Sequence, residues 1–222
     1  MGRAGDGSPG ESARPDLERL LDFASSVPGY FPRDRLAALA SFAESGLDRV
    51  AGNAVEFGSY CGRSTVVLGA ICRARQRRLV TVDHHLGSIE MHPPFPYFDP
   101  AMIDRTHGRL DSLGPLMDTL ELAGLRDHVS VLVTRSAKAG EILAPGFAFA
   151  LIDGGHDDLT AHQDLISALR LLGAGGTLVI DDVFSDPSQG GQAPYRMMVA
   201  ALHSGFEPVG EAGPLVALRR SG

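Results

Sequence analysis

AVEFGSYCGRSTVVLGAICRARQRRLVTVD, residues 54–83, decides the fold. It opens on a short apolar run, AVEFG, and turns on two glycines, Gly58 and Gly62. Apolar residues then recur at helical spacing from about Arg63 to Arg75, and the stretch ends on a second apolar run, LVTVD. Strand, glycine turn, helix and strand in this order form a βαβ unit, in which the helix carries the chain back so that the strands lie parallel. Working outward, the alternation returns: VSVLV at 129–133, FAFALID at 147–153, a helix from about Thr160 to Leu172, and TLVIDD at 177–182. It predicts an α/β, Rossmann-like fold, a mostly parallel sheet with helices on both faces and right-handed crossovers. Phe206 to Val209, the turn GEAG and Leu215 to Arg219 read as a C-terminal hairpin that adds antiparallel strands. Upstream, Pro15–Val27 and Pro32–Ser45 read as two helices, the second beginning at a proline and stopping at Gly46.

The chain of 222 residues reads as one domain, with a disordered leader over 1–14, N-terminal helices over 15–48 and the α/β core over 49–222. Hydrophobic residues make up 44% of it, enough for a core of its own. A net charge of −7 with no basic stripe disfavours nucleic acid as a partner; the one cluster, Arg73, Arg75, Arg77 and Arg78, falls at a helix end. Cys61 and Cys72 both fall in or beside apolar segments and read as small buried residues in a reducing cytoplasm. No apolar run approaches the roughly 20 residues needed to span a bilayer, so no membrane is expected.

Two segments break the strand and helix rhythm. HHLGSIEMHPPFPYFDPAMIDRTHGR, residues 84–109, is too long and too rich in Pro, His and aromatics for a connector, and FSDPSQGGQAPY, 184–195, is a second such loop. Long loops in compact domains are usually lids or binding loops. Both follow strands directly, so both should overhang the crevice at the strands' carboxyl ends, where ligands of open α/β sheets bind. Phe95, Tyr97 and Phe98 offer aromatic faces for a sugar or an anchor for the lid; Gln189, Gln192 and Tyr195 offer hydrogen bonds to hydroxyls.

The turn at Gly58 and Gly62 is G-x-x-x-G, not the G-x-G-x-x-G that cradles a pyrophosphate, so a dinucleotide is the weaker candidate. Asp83, ending the second strand, is placed to accept both hydroxyls of a ribose. EFGSYCGRS, Asp83, DGGH at 153–156 and the acidic pair ending TLVIDD together resemble the class I S-adenosylmethionine-dependent methyltransferases. The likeness covers about residues 50 to 220. It is nearest to the metal-dependent sugar O-methyltransferases, which act on macrolide sugars and methylated polysaccharides. It implies a seven-stranded sheet and S-adenosylmethionine as cofactor. Gly58 and its neighbours Glu56, Ser59, Tyr60, Gly62 and Ser64 would lie along the methionine moiety. Asp83 and His84 would lie at the ribose, Ser136 and Ala137 near the adenine, and Asp153 at the boundary between cofactor and reaction centre.

Asp153 ends one strand, and Asp181 and Asp182 end its predicted neighbour. Either alone reads as a turn or cap, but together they bring three carboxylates to one edge of the crevice. Such a cluster calls for a cation, and Mg²⁺ suits carboxylate and water ligands. A bound metal would act as a Lewis acid on the acceptor hydroxyl, and His156 is the candidate general base. In catechol-type relatives that position holds lysine and in the macrolide-sugar relatives histidine, which favours a sugar or glycoside acceptor. Asp182 departs from the asparagine common in catechol enzymes. Asp157 and Asp158 read as the start of the next helix, and His162 as a surface or packing residue. His84, His85 and Glu90 form a set able to bind a metal, but imidazole suits zinc or iron better than magnesium, and the Pro-rich loop around them argues for substrate contacts.

The expectation is therefore a Mg²⁺-dependent O-methyltransferase of a sugar or glycoside, acting as a homodimer that completes the pocket. A catechol or other small phenol as acceptor is the alternative, and a non-catalytic nucleotide-binding protein a further one. A nicotinamide-dependent dehydrogenase and an amine methyltransferase of DNA fit the residues less well, the latter because DGGH stands where an Asn/Asp-Pro-Pro-aromatic run would be.

Overall fold

The structure, a computed structural model, describes residues 16–221. The expected leader over 1–14 lies outside the described residues. Among the described residues there are nine strands, β1 (Ala54–Phe57), β2 (Leu79–Asp83), β3 (Ile103–Asp104), β4 (Arg109–Leu110), β5 (Val129–Val133), β6 (Phe147–Ile152), β7 (Leu172–Ile180), β8 (Phe206–Ala212) and β9 (Leu215–Arg220). Seven of them form one sheet in the order β5-β2-β1-β6-β7-β9-β8, with β3 and β4 making a separate ribbon inside the 84–109 segment. β5, β2, β1, β6 and β7 are parallel; β9 pairs antiparallel with β7 and with β8. The seven-stranded, mostly parallel sheet with a C-terminal hairpin is the expected fold class.

Alternation along β6 explains why the sheet is buried on both faces. Phe149 and Leu151 join one apolar layer with α1 (Leu17–Ser26), α2 (Arg33–Arg49), α3 (Arg63–Ala74) and α4 (Leu113–Leu122). Ala150 and Ile152 join the other with α5 (Ser136–Ile142), α6 (Asp158–Leu171) and α7 (Ala193–His203). Successive side chains on a strand point to opposite faces, so a strand covered on both reads as a nearly continuous apolar run. β7 is longer than expected, since Leu172 to Gly176 continue the strand behind an irregular pairing at Phe147.

α2 starts after Pro32, and Leu36, Leu39, Ala40, Ala43 and Leu47 form its buried stripe. Arg63, in the first turn of α3, fastens the segment between α1 and α2: its Nε donates to the Val27 carbonyl at 2.8 Å and its Nη1 to that of Phe31 at 3.0 Å. The chain between the first two helices is thus held against the carboxyl edge of the sheet.

Candidate functional site

β1 and β6 are neighbours, and from them the chain order runs outward in opposite directions. At such a switch point the loops leaving the two strands part and open a crevice. Phe57 is in register with Val82 and Ile152, and Ile152 with Ile180. Gly58, Asp83, Asp153 and Asp181 therefore leave the sheet at nearly one level. A cavity of about 500 Å³ opens there, within the roughly 300–1,000 Å³ usual for small-molecule sites.

Gly58 has φ of 89°, and a Cβ on it would sit 2.1 Å from the Asp153 carbonyl oxygen. Only glycine lets the β1 turn pass this close to the β6 turn. Gly154 is tied in the same way, since a Cβ there would lie 2.3 Å from Asp164 Oδ2. Asp83 holds the turn from the other side: its Oδ2 accepts from the Ser59 and Tyr60 amides at 3.0 and 2.9 Å, and its Oδ1 from the His85 amide at 2.8 Å. Tyr60, His85 and Asp182 adopt positive φ although they are not glycine, and all three lie along this carboxyl edge. Such strained backbone tends to gather at functional sites.

Gly58, Ser59, Tyr60, Ser64, Asp83, His84, Ser136, Asp153, His156, Asp181 and Asp182, all expected at the site, line the cavity. Three expected contacts do not. Glu56 is fully buried and takes hydrogen bonds from Ser64 Oγ, Thr65 Oγ1 and Thr81 Oγ1 at 2.7, 2.7 and 2.9 Å. It ties α3 and β2 to β1 beneath the floor of the site, because an even position on this doubly covered strand points into the helix layer. Gly62 faces Leu116 and Thr119 of α4, and Ala137 is turned from the cavity that its neighbour Ser136 lines.

His156 stands between two carboxylates. Its Nδ1 lies 3.3 Å from Glu90 Oε1 and its Nε2 3.5 Å from Asp182 Oδ2. Ser88 Oγ donates to the other Glu90 oxygen at 2.7 Å. The Glu90 hydrogen bond outweighs burial and holds the His156 imidazole above its ordinary value; the same bond holds Glu90 low. Glu90 thus has a definite partner, which its place in a long loop did not reveal. His85 is buried, its Nδ1 against Ser112 Oγ at 2.9 Å; burial pushes it down.

The three carboxylates expected to hold a cation are brought to one edge, but not as an open metal site. Arg35 from α2 reaches them: its Nη1 donates to Asp181 Oδ1 and Oδ2 at 2.7 and 2.8 Å and to Asp182 Oδ1 at 2.9 Å. The guanidinium lies over the Phe31 ring, 5.4 Å from its centre. Burial opposes the charge on Arg35, yet Asp181 and Asp182 hold its pKa above the ordinary value. Burial, with Asp181 and Asp182 alongside, pushes Asp153 well up, and burial with Asp182 raises Asp181 against the pull of Arg35. Among the described residues no three His, Cys, Asp or Glu side chains are grouped so as to hold a metal ion. The expected Mg²⁺ set of Asp153, Asp181 and Asp182 does not fit the ion as arranged, because an internal cation already takes up the acidic pair.

Two further groups escaped the sequence. Tyr30 from the α1–α2 segment stacks on Tyr60 at 5.9 Å and meets Tyr97 of the lid edge-on at 5.0 Å, and all three rings line the cavity. Asp164 of α6 is buried in the cavity wall, and burial pushes it up to about 7 against the hydroxyl of Ser136. Of the loop residues, Tyr97 and Gln189 line the cavity, whereas Gln192 binds the Phe184 carbonyl within its own loop and Phe98 and Tyr195 do not face it. Asp157 caps α6, accepting from the Leu159 and Thr160 amides, as expected.

Comparison with known proteins follows the same outline. A family model described as a methyltransferase domain matches residues 55–183. Among solved structures, the O-methyltransferase NovP is similar with a TM-score of 0.66 at 16% identity, over 93% of this chain and 98% of that one. The SAH-bound Podospora anserina methyltransferase PaMTH1 gives 0.63 at 15%, over 94% and 88%. An O-methyltransferase from Bacillus cereus in complex with SAH gives 0.59 at 19%, over 92% and 90%. At these identities the likeness is one of fold. No helix among the described residues is long and apolar enough to cross a membrane.

Proposed function

Because this chain belongs to the methyltransferase domain family, we propose that it transfers a methyl group from S-adenosylmethionine to a hydroxyl of a sugar or glycoside. One observation carries this reading: His156, flanked by Glu90 and Asp182, opens into the same cavity as the Gly58 turn and Asp83. Base and nucleotide cradle meet at the sheet's switch point.

The cavity suits the cofactor. Gly58, Ser59, Tyr60 and Ser64 would take its methionine part, Asp83 and His84 the ribose, and Ser136 the adenine. When bound, S-adenosylmethionine supplies a methyl on a positively charged sulfur; the acceptor oxygen takes that methyl as the carbon–sulfur bond breaks, and S-adenosylhomocysteine leaves. His156 receives the acceptor's proton. Glu90 orients the imidazole through Nδ1 and strengthens it as a base, while the acidic edge favours the imidazolium that results. Tyr30, Tyr60 and Tyr97 present ring faces and edges to the cavity, a surface against which the apolar face of a sugar ring can lie.

Pro28, Gly29, Tyr30, Phe31 and Arg35 of the same chain line one wall of the pocket. A homodimer that completes the pocket remains the expected assembly, and light scattering on the eluted protein tests it. A phenolic acceptor would also meet the aromatic wall. The deciding assay is S-adenosylhomocysteine release with a panel of glycosides and catechols. Glycoside-dependent turnover supports the reading; turnover with catechols alone would replace the acceptor class.

A further inference from the structure

We infer that Arg35 is the resident cation of this site, and that the protein works without a divalent metal. The inference rests on the methyltransferase reading and concerns how its acidic edge is neutralised. A cluster of carboxylates at a desolvated edge needs compensating charge, and either a metal ion or a buried basic side chain can provide it. Here one nitrogen of a planar guanidinium meets three oxygens of Asp181 and Asp182 at 2.7 to 2.9 Å. Both Asp181 oxygens and one Asp182 oxygen, half of those the expected metal set would offer, are therefore already used as acceptors.

Arg35 is also built in rather than draped across the surface. Its side chain is 16% exposed and Asp181 4%. It sits in the first turn of α2, directly before Leu36, which is completely buried. The preceding segment is pinned by Arg63 at Val27 and Phe31, and the Phe31 ring backs the guanidinium. Moving Arg35 aside for a metal would uncover that ring and leave the guanidinium without its acidic partners. What the place requires is a basic group that stays charged when buried beside carboxylates, which a guanidinium does.

Asp182 then acquires a different task. One oxygen binds Arg35 and the other faces His156 Nε2, so it couples the fixed cation to the imidazole. Among the described residues, Arg35 Nε and Nη2 meet no hydrogen-bond acceptor, although the side chain lines the cavity. These donors are available to an acceptor oxygen. A site of this kind needs one hydroxyl on its acceptor, not the vicinal pair that chelation of a metal exploits.

The test is Mn²⁺ binding to the full chain after chelator treatment, followed by electron paramagnetic resonance, with S-adenosylhomocysteine binding measured calorimetrically in parallel. The wild type should take up no stoichiometric Mn²⁺ at 1 mM, on the order of the weakest calcium modules. Arg35→Gln, which removes the charge and keeps polar bulk, should bind it at least about tenfold more tightly, a change of about 1.4 kcal/mol. Arg35→Lys should behave as the wild type. One tightly bound Mn²⁺ in the wild type that Asp182→Asn abolishes would overturn the inference, as would a folded Arg35→Gln protein that gains no affinity. Failure to bind S-adenosylhomocysteine would instead sink the methyltransferase reading, while the Mn²⁺ titration would still decide the role of Arg35.

Discussion

Glu56→Gln should flatten the dependence of stability on pH. Glu56 is completely buried in β1 and, in spite of three hydroxyl donors, burial pushes it from its ordinary 4.5 up to about 7. Between those values the folded chain holds a proton that the unfolded chain has released. Stability from this group is therefore fully present below about pH 4.5 and is lost as pH rises through 7. At about 1.36 kcal/mol per pH unit, the interval amounts to about 3 kcal/mol. Glutamine cannot ionise, and Ser64, Thr65 and Thr81 can turn their hydroxyls to suit its amide. The chain has no tryptophan, so urea unfolding from pH 5 to 8 is best followed by circular dichroism. The variant should lose about 3 kcal/mol less than the wild type across that range; parallel curves for the two proteins would refute the reasoning. S-adenosylhomocysteine affinity should be unchanged, because Glu56 lies under the cavity floor; a marked loss would return it to the cofactor contacts.

Other outcomes follow from the geometry. His156→Ala should lower turnover by about 10²- to 10⁴-fold and leave S-adenosylhomocysteine affinity intact; loss of that affinity would show that the two ends of the crevice are interchanged. Glu90 raises the basicity of His156, and a general base acts only when deprotonated. Glu90→Gln should therefore move the acid limb of the pH–rate profile to lower pH while lowering the plateau, and an unmoved limb would exclude His156 as the base. Gly58→Ala forces a methyl to within 2.1 Å of the Asp153 carbonyl at a φ of 89°. Left-handed backbone alone costs roughly 1–2 kcal/mol; with the clash added, the melting temperature and cofactor affinity should fall together, and a protein as stable as the wild type would mean the two turns are not in close contact.

Much of the fold was legible because the inner parallel strands are covered on both faces and so read as short, mostly apolar runs. LVTVD and VSVLV are strands with those bounds, and the runs AVEFG and FAFALID are strands that stop one residue short, at Phe57 and Ile152. α4, α5 and α7 were not anticipated: α5 has seven residues, too few to develop a periodic stripe, and α4 carries a glycine and a proline, Gly114 and Pro115, in its first turn. At the site, strand-end residues could be placed because register follows from strand ends. Arg35 could not, since it stands among several arginines on an amphipathic helix and its carboxylate partners lie 146 residues away. Asp164 was hidden for the opposite reason. A charged residue in a helix normally faces water, and only packing against Gly154 and Ser136 turns it inward. Glu56 misled because a residue next to the glycine turn looks like part of it, whereas alternation along β1 sends it the other way.

The distance between Arg35 and Asp181 also sets an order of events during synthesis. At about 5–20 residues per second, on the order of ten seconds separate the two residues as they leave the ribosome. For most of that interval the face of α2 that carries Leu36, Leu39, Ala40 and Ala43 lacks β6 and β7, which complete its cover beside α3. The first helices can pack on α3 early, but α2 completes its cover only when β7 arrives, so a nascent chain stalled short of β7 carries a partly uncovered apolar stripe and an arginine still in water.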